Sequence, residues 1–531
     1  MKKPFIFTFI SAFLSLCVPF QNAQATTTER VFRFANSRDP QSLDPAFLDA
    51  RPETTIGREL FEGLVSYDPQ TGKPLPGVAQ NWTVSSDGRT YTFQLRTNAL
   101  WSDGHPVLAS DFIYAWKRLI EPSTAAYFPK LFTEYVEGAK EYAKQREHGT
   151  GDFSTVGISA PNEHTITIRL KHATPFYLEV VGMASYYPIP QHRVEKNNQA
   201  WAAPKNIVGN GPFVLESLRR KDNVVLRKNT KYWDAKNVNI DKVIIYPIED
   251  DKSALNMYKA GELDWIGAVP TILLPKLRKT TELHSAAILG TRYIRINTTK
   301  PELTNPKVRR AMSMALDRKI LVERVLREMQ QPAYSFVPAG LRNYSANAQI
   351  TENIAEARKL MTEAGYPNGK GMPEISLLFQ PNSQSSLVAI AISKMLGDAL
   401  GVKVGQLRAE KGIFYDKLDS MSYDLALSNF SADFNDAESF LGKFASENVS
   451  ENLTGFKNAE YDQFLKQASA FVNPKDRNRS LAAAEKILVI DQAAIIPLYH
   501  GVNIEMWKSY VSGLYMNPLG FHSLKNVTLL K

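Results

Sequence analysis

The chain has 531 residues, 44% of them hydrophobic and 22% charged, and a formal net charge of +9 from 63 basic and 54 acidic side chains. This composition is globular and excludes disorder, collagen or coiled coil as the main architecture. A charge of +9 spread over this length is no nucleic-acid footprint, and at ~100–200 residues per domain the length calls for about two to four domains.

The first 25 residues read as a secretory signal. Lys2 and Lys3 precede an apolar run from Phe5 to Phe20, and Ala23-Gln24-Ala25 is a small-x-small cleavage site. An uncleaved anchor and lipidation at Cys17 stay open as alternatives; the short apolar core and the bulky Leu16 weigh against them. Cleavage after Ala25 removes the only cysteine. The mature chain then has neither a disulfide nor a thiolate for catalysis or metal binding. Beyond residue 25 no stretch offers the ~18 uninterrupted apolar residues that a membrane helix needs.

In chain order, period-two alternation predicts strands at Thr90–Leu95, Thr165–Leu170 and Lys242–Tyr246. Asp250-Asp251 reads as a solvated turn. Three- and four-residue apolar spacing predicts helices over Val308–Met314 and Ile320–Leu326, the second capped by Asp317. A helix over Ile354–Ala364 stops at Gly365, with Pro367 beyond. The helix Gln384–Leu400 ends at Gly401, and a strand Val402–Val404 follows. Strands alternating with helices indicate an α/β fold. No repeat or flexible linker separates the parts, which fits a hinged clamshell better than tethered modules.

Catalytic signatures do not emerge. No two of the eight histidines lie within four residues of each other, so no helical His pair can grip a metal. There is no Gly-x-Ser-x-Gly elbow, and Gly365–Lys370 has the wrong spacing for a phosphate loop.

Several segments together carry a family pattern. They are Gln41-Ser42-Leu43-Asp44-Pro45, Leu60-Phe61-Glu62-Gly63-Leu64-Val65, Pro76-Gly77-Val78-Ala79 with Trp82, and Tyr91–Arg96. Trp101-Ser102-Asp103-Gly104-His105-Pro106-Val107 leads into Asp111–Trp116. Gly209-Asn210-Gly211-Pro212-Phe213, Tyr232-Trp233, Ala260–Asp264, Val308–Ala311 and Ala315–Arg318 complete the set. In this order and spacing the chain resembles, from about residue 31 to its C-terminus, the oligopeptide-binding proteins of peptide ABC importers, including the murein-peptide binders. Most of these residues also have a plain structural reading. Trp82, Trp101 and Trp116 are suited to packing, and Ser102-Asp103-Gly104 and Asn210-Gly211-Pro212 are turns by composition.

The resemblance implies an α/β fold of the type II-like periplasmic binding proteins, a large three-domain clamshell. Domain I would combine 26–62, 187–287 and 501–531, domain II would be 63–186, and domain III 288–500. It implies a monomer in a Gram-negative periplasm that captures peptides, hands them to an inner-membrane ABC permease and its ATPase subunits, and uses no cofactor, metal or nucleic acid. It carries Asp433 onto the position that receives a peptide's ammonium, and Asn429, Ser431 and the loop Asp49-Ala50-Arg51 onto positions whose backbone pairs with ligand. Phe128, Tyr293 and Phe430 map near aromatic cleft positions. Three positions depart from the pattern: Leu427 where the family has an arginine for the ligand's carboxylate, Ser385 for a histidine, and Lys411 for a tryptophan. A diaminopimelate-containing peptide is thereby disfavoured, and Lys411, Arg292 or Arg51 is left to receive the carboxylate. Two other readings stay open: a non-peptide ligand such as haem, a bile acid or another amphiphile, and an exported peptidase or amidase.

Overall fold

A computed structural model of the protein describes Met1 and residues 29–48, 50–327, 329–341 and 344–530; the expected leader with its cleavage site, and Asp49, lie outside the described residues. The main sheet has eleven strands: β1 (Val31–Asn36), β2 (Phe213–Arg219), β3 (Asn223–Lys228), β4 (Lys242–Pro247), β5 (Trp265–Ile266), β6 (Leu283–Ile296), β7 (Gln331–Pro332), β8 (Ile375–Phe379), β9 (Val404–Arg408), β10 (Leu425–Ser431) and β11 (Ile495–Trp507). Their order is β9-β8-β10-β6-β11-β5-β1-β4-β3-β2, with β7 against β11.

The sheet has two parallel regions. β1 lies parallel to β4 and β5, and β8 lies parallel to β9 and β10. Parallel neighbours need crossover connections, and α2 (Ser383–Leu400) and α3 (Lys411–Asp419) supply them between β8, β9 and β10; α1 (Arg51–Leu60) follows β1. The long antiparallel pair β6–β11 joins the two regions. Its register breaks between Ala287 and Thr291, so the strands change pairing halfway along; a bulge of this kind bends a strand. Residues 79–169 carry a separate antiparallel sheet of four strands, in the order Ala79–Val84, Thr90–Leu95, Thr165–Arg169 and Ile158–Asn162.

The expected strands at 90–95 and 165–170 and the helices ending at Gly365 and Gly401 form within a residue of their predicted bounds. The strand expected at Val402–Val404 begins at Val404 instead, because residues 402–403 are taken up in leaving the left-handed Gly401 cap (φ +72°). Asp250 and Asp251 are solvent-exposed as expected, but they start a helix and do not form a turn: the Asp250 carboxylate accepts from Ser253 N at 2.8 Å and caps the helix Asp251–Ala260. That satisfies a helix-start donor that would otherwise lack a partner. Leu321–Leu326 is a π-helical turn after the Asp317 cap. Trp101 and Trp116 are fully buried, as packing residues should be.

Alternation along β6 separates two apolar layers. Ile294, with Leu427 of β10, packs under Val388 and Ile392 of α2. Tyr293 points the other way, into Phe336, Phe440 and Phe444.

Candidate functional site

The site begins where β10 ends. Asp433 lies between Ser431, the last strand residue, and the short helix Glu438–Leu441, whose Glu438 N donates to Asp436 Oδ1 at 2.9 Å. Asp433 N donates to Ser439 Oγ at 2.9 Å, which fixes the loop and leaves the carboxylate side chain 32% exposed. Burial pushes this carboxyl up, Lys443 pulls it back down and Glu451 pushes it further up.

Lys443 binds the acids together. Its Nζ is 3.9 Å from Asp433 and 2.8 Å from Glu451, and lies 4.3 Å from the centre of the Phe430 ring. Lys130 Nζ, from the helix Pro129–Tyr135, reaches Glu451 at 2.6 Å. Burial would raise Glu451, but the two lysines outweigh it and hold the carboxyl at about 2. Beside them Phe176 stacks on Phe434 at 4.4 Å and 6° between planes. Tyr186 donates to the Phe128 carbonyl at 3.2 Å, and its phenol is pushed up first by burial and then by the charge of Asp433. Phe128 thus belongs to the same wall as Asp433.

Further back along the strand, alternate residues of an antiparallel pair share one face. Arg292 lies opposite Asn429, and Ile294 opposite Leu427. Arg292 Nη1 donates to Asn429 Oδ1 at 3.2 Å and Nη2 to Ser385 Oγ at 2.6 Å. Asn429 and Ser431 are exposed, whereas Leu427 is 4% exposed among the residues under α2.

The other sequence candidates lie elsewhere. Tyr293, expected to line the cleft, is 1% exposed in the opposite layer, its hydroxyl accepting from Arg295 Nη2 at 2.9 Å; the strand's alternation that turns Arg292 outward turns Tyr293 inward. Arg51 is committed to Glu505 at 2.7 Å, and Glu505, fully buried, also accepts from Trp265 Nε1 at 2.9 Å. Ala50 sits at the N-cap of α1. Lys411 is exposed at the start of α3. Phe414 and Leu418 of that helix pack on Leu378 and Ala426, the sheet face away from Leu427, so Lys411 is not beside Ser385.

Lys443, Glu451, Lys130 and Tyr186 were not legible as site residues, because lone charges and tyrosines far apart in sequence carry no spacing signal. The same holds for Asp103, His105 and His192. Asp103 Oδ1 is 3.1 Å from His105 Nδ1, and Oδ2 is 2.8 Å from His192 Nε2, with the two rings stacked at 4.2 Å. Helical spacing could not reveal this pair, since 87 positions separate the two histidines in the chain. These three are the side chains that could together hold a metal ion among the described residues. Arg193 Nε already donates to the same carboxylate at 2.9 Å. Burial would raise Asp103, but hydrogen bonds from His192, Arg193 and His105 outweigh it and keep the carboxyl well below the usual range.

Residues 73–452 match the family model of the bacterial extracellular solute-binding proteins, family 5 Middle. The chain is 32% identical over 511 residues to the periplasmic oligopeptide-binding protein OppA of Escherichia coli, covering 93% of this chain and 92% of that protein. It is 30% identical to the probable deoxycholate-binding periplasmic protein YgiS of the same organism, at 92% coverage of each. The solved E. coli murein tripeptide-binding protein MppA superposes with a TM-score of 0.82 at 31% identity, covering 95% of this chain and 99% of that one. Among the described residues no helix is long and apolar enough to cross a membrane. A family model that spans most of the chain, and relatives that match it nearly end to end, place this protein among the bacterial extracellular solute-binding proteins of family 5.

Proposed function

We propose that the protein captures short peptides in the periplasm and delivers them to an inner-membrane ABC importer. The observation that carries this reading is the half-buried Asp433 carboxylate, held by its own backbone just beyond the end of β10, beside Lys443 and near enough to the Tyr186 phenol to perturb it. A carboxylate is the natural partner of a peptide's terminal ammonium, and exposed strand residues such as Asn429 and Ser431 can offer backbone groups to an extended chain. The leader is cleaved after Ala25. The working units are 26–62 with 187–287 and 501–531 as domain I, 63–186 as domain II and 288–500 as domain III. The register break in β6–β11 supports a hinge between the first and the third, and ligand shifts the balance toward the closed form that docks on the permease. The chain acts as a monomer, by binding and not by catalysis.

A second reading, a non-peptide ligand such as a bile acid, is favoured by two observations: Leu427 is apolar and buried where the resemblance implies an arginine, and one relative is named a probable deoxycholate-binding protein. Calorimetry with paired ligands tests the first reading. Asp433→Ala is expected to weaken free-amine peptides by on the order of 3–5 kcal/mol, because it strands a buried ligand charge, and N-acetylated peptides far less. Equal losses for both would sink the amine role.

A further inference from the structure

We propose that Asp103, His105 and His192 form a binding site for a divalent transition-metal ion, zinc foremost, which pins the loop 101–107 to the helix Gln191–Asn197. The family resemblance implies no metal. The inference therefore goes beyond the peptide-capture reading and does not depend on it.

Three observations converge on this cluster. The first is the donor set. Asp103 Oδ1 lies 3.1 Å from His105 Nδ1 and Oδ2 lies 2.8 Å from His192 Nε2. One ligand atom from each of the three residues falls within 4.8 Å of the others. With zinc–ligand bonds of about 2.0–2.2 Å, the edge of a tetrahedral site is about 3.3–3.6 Å. The two oxygen–nitrogen spacings are therefore within about 1 Å of the bound geometry. Two imidazoles and one carboxylate suit zinc and leave a fourth position for water.

The second is the frame. Gly104 takes φ +99°, a conformation that strains other residues, and turns His105 back beside Asp103. Trp101 N donates to the His105 carbonyl at 2.8 Å and closes that bend. Buried Asp111 ties the loop to the helix. Its Oδ2 accepts from Trp101 Nε1 at 3.0 Å, and its Oδ1 accepts at 3.2 Å from the backbone of Gln191, the residue before His192. Anchored backbone thus presents the donors from both sides. Arg193 Nε donates to Asp103 Oδ2 at 2.9 Å. It keeps the carboxylate oriented when the ion replaces the imidazole contacts, as outer hydrogen bonds do at metal-bound carboxylates.

The third is access. Side-chain exposure rises from 13% for Asp103 to 31% for His192 and 61% for His105. The carboxylate forms the base of the cluster, and an ion enters past the imidazoles. The two rings stack at 4.2 Å with 30° between their planes. A metal ion lies in the plane of each imidazole that binds it. His105, the more exposed ring, therefore turns out of the stack about its own side-chain bonds as the ion binds.

The test is zinc titration of the tag-free mature protein in competition with a chromophoric chelator. The variants are His105→Gln, His192→Gln and Asp103→Asn, with the exposed His148→Gln as control. Expected is one equivalent bound at micromolar zinc by the wild type and by His148→Gln, and affinity at least tenfold weaker in each of the other three. Cobalt(II) in place of zinc should give the visible absorption of a four- or five-coordinate site, lost in His192→Gln. Zinc should raise the melting temperature of the wild type, because an ion that binds only the folded chain stabilises it, and leave that of His105→Gln unchanged. A metal-free melting temperature equal to that of the wild type shows that His105→Gln is folded. Wild-type protein that takes up no equivalent at micromolar zinc, or undiminished affinity in any of the three variants, overturns the inference.

Discussion

Lys443→Met should tighten the binding of free-amine peptides. Lys443 Nζ stands 3.9 Å from Asp433, so an incoming ammonium on the same carboxylate would lie about 5 Å from a second cation. At an effective dielectric of ~20 two such charges repel by about 3 kcal/mol. Both side chains keep some exposure, 18% for Lys443 and 32% for Asp433, and screening reduces the repulsion to about 1–2 kcal/mol. That corresponds to a ~5- to 30-fold gain in affinity. Methionine keeps most of the length and apolar contact of the lysine stem over Phe430. Glu451 still has Lys130 at 2.6 Å, so no buried acid is stranded. The gain is confined to ligands with a free amine, and calorimetry with an acetylated control separates it from general effects. It also has a pH signature. Burial already raises the Asp433 carboxyl, and loss of Lys443 raises it further. The gain is therefore present at pH 8 and fades as pH falls through the raised value. Weaker binding of free-amine peptides to Lys443→Met would refute the reasoning, since it would mean that the lysine orients Asp433 instead of competing for it.

Burial pushes Glu59 up to about 8 from an ordinary 4.5, while its Oε1 accepts from Leu524 N at 2.9 Å. The folded state keeps a proton that the unfolded chain releases, so this stabilisation is full below pH 4.5 and is lost as pH rises through about 8. Glu59→Gln should raise the melting temperature at pH 8.5 and change it little at pH 5, as read by calorimetric scans. Glu505 runs the other way. Burial would raise it, but His522 and Arg51 outweigh burial and lower it, so its contribution is present above pH 4.5 and is lost as pH falls through the lowered value. Glu505→Gln should destabilise at pH 7 by about 3 kcal/mol through loss of a buried pair, a difference that shrinks in acid. Phe176→Ala removes a ring stacked on buried Phe434 and should cost about 3–5 kcal/mol of cavity and stacking energy in urea unfolding.

Local patterning was legible where it was complete within a few residues. The alternation Tyr91, Phe93, Leu95 and the glycine stops at 365 and 401 are short-range signals, and the corresponding elements form within a residue of their expected bounds. Asp433 could be placed by family pattern, because it sits in a recognisable strand-to-helix loop. What surrounds it could not. Lys130 meets Glu451 across 321 positions, and Arg292 meets Ser385 across 93, distances over which no periodicity survives. Tyr293 and Arg292 are adjacent in sequence but face opposite layers. Only the strand's register decides that Arg292 turns toward Ser385 while Tyr293 shares its face with Phe430.

Mass spectrometry of the mature protein, first native and then denatured, tests the central claim most directly. The expected result is a ladder of short peptides of mixed sequence with free amino termini. A single non-peptide mass, such as a bile acid, would contradict it.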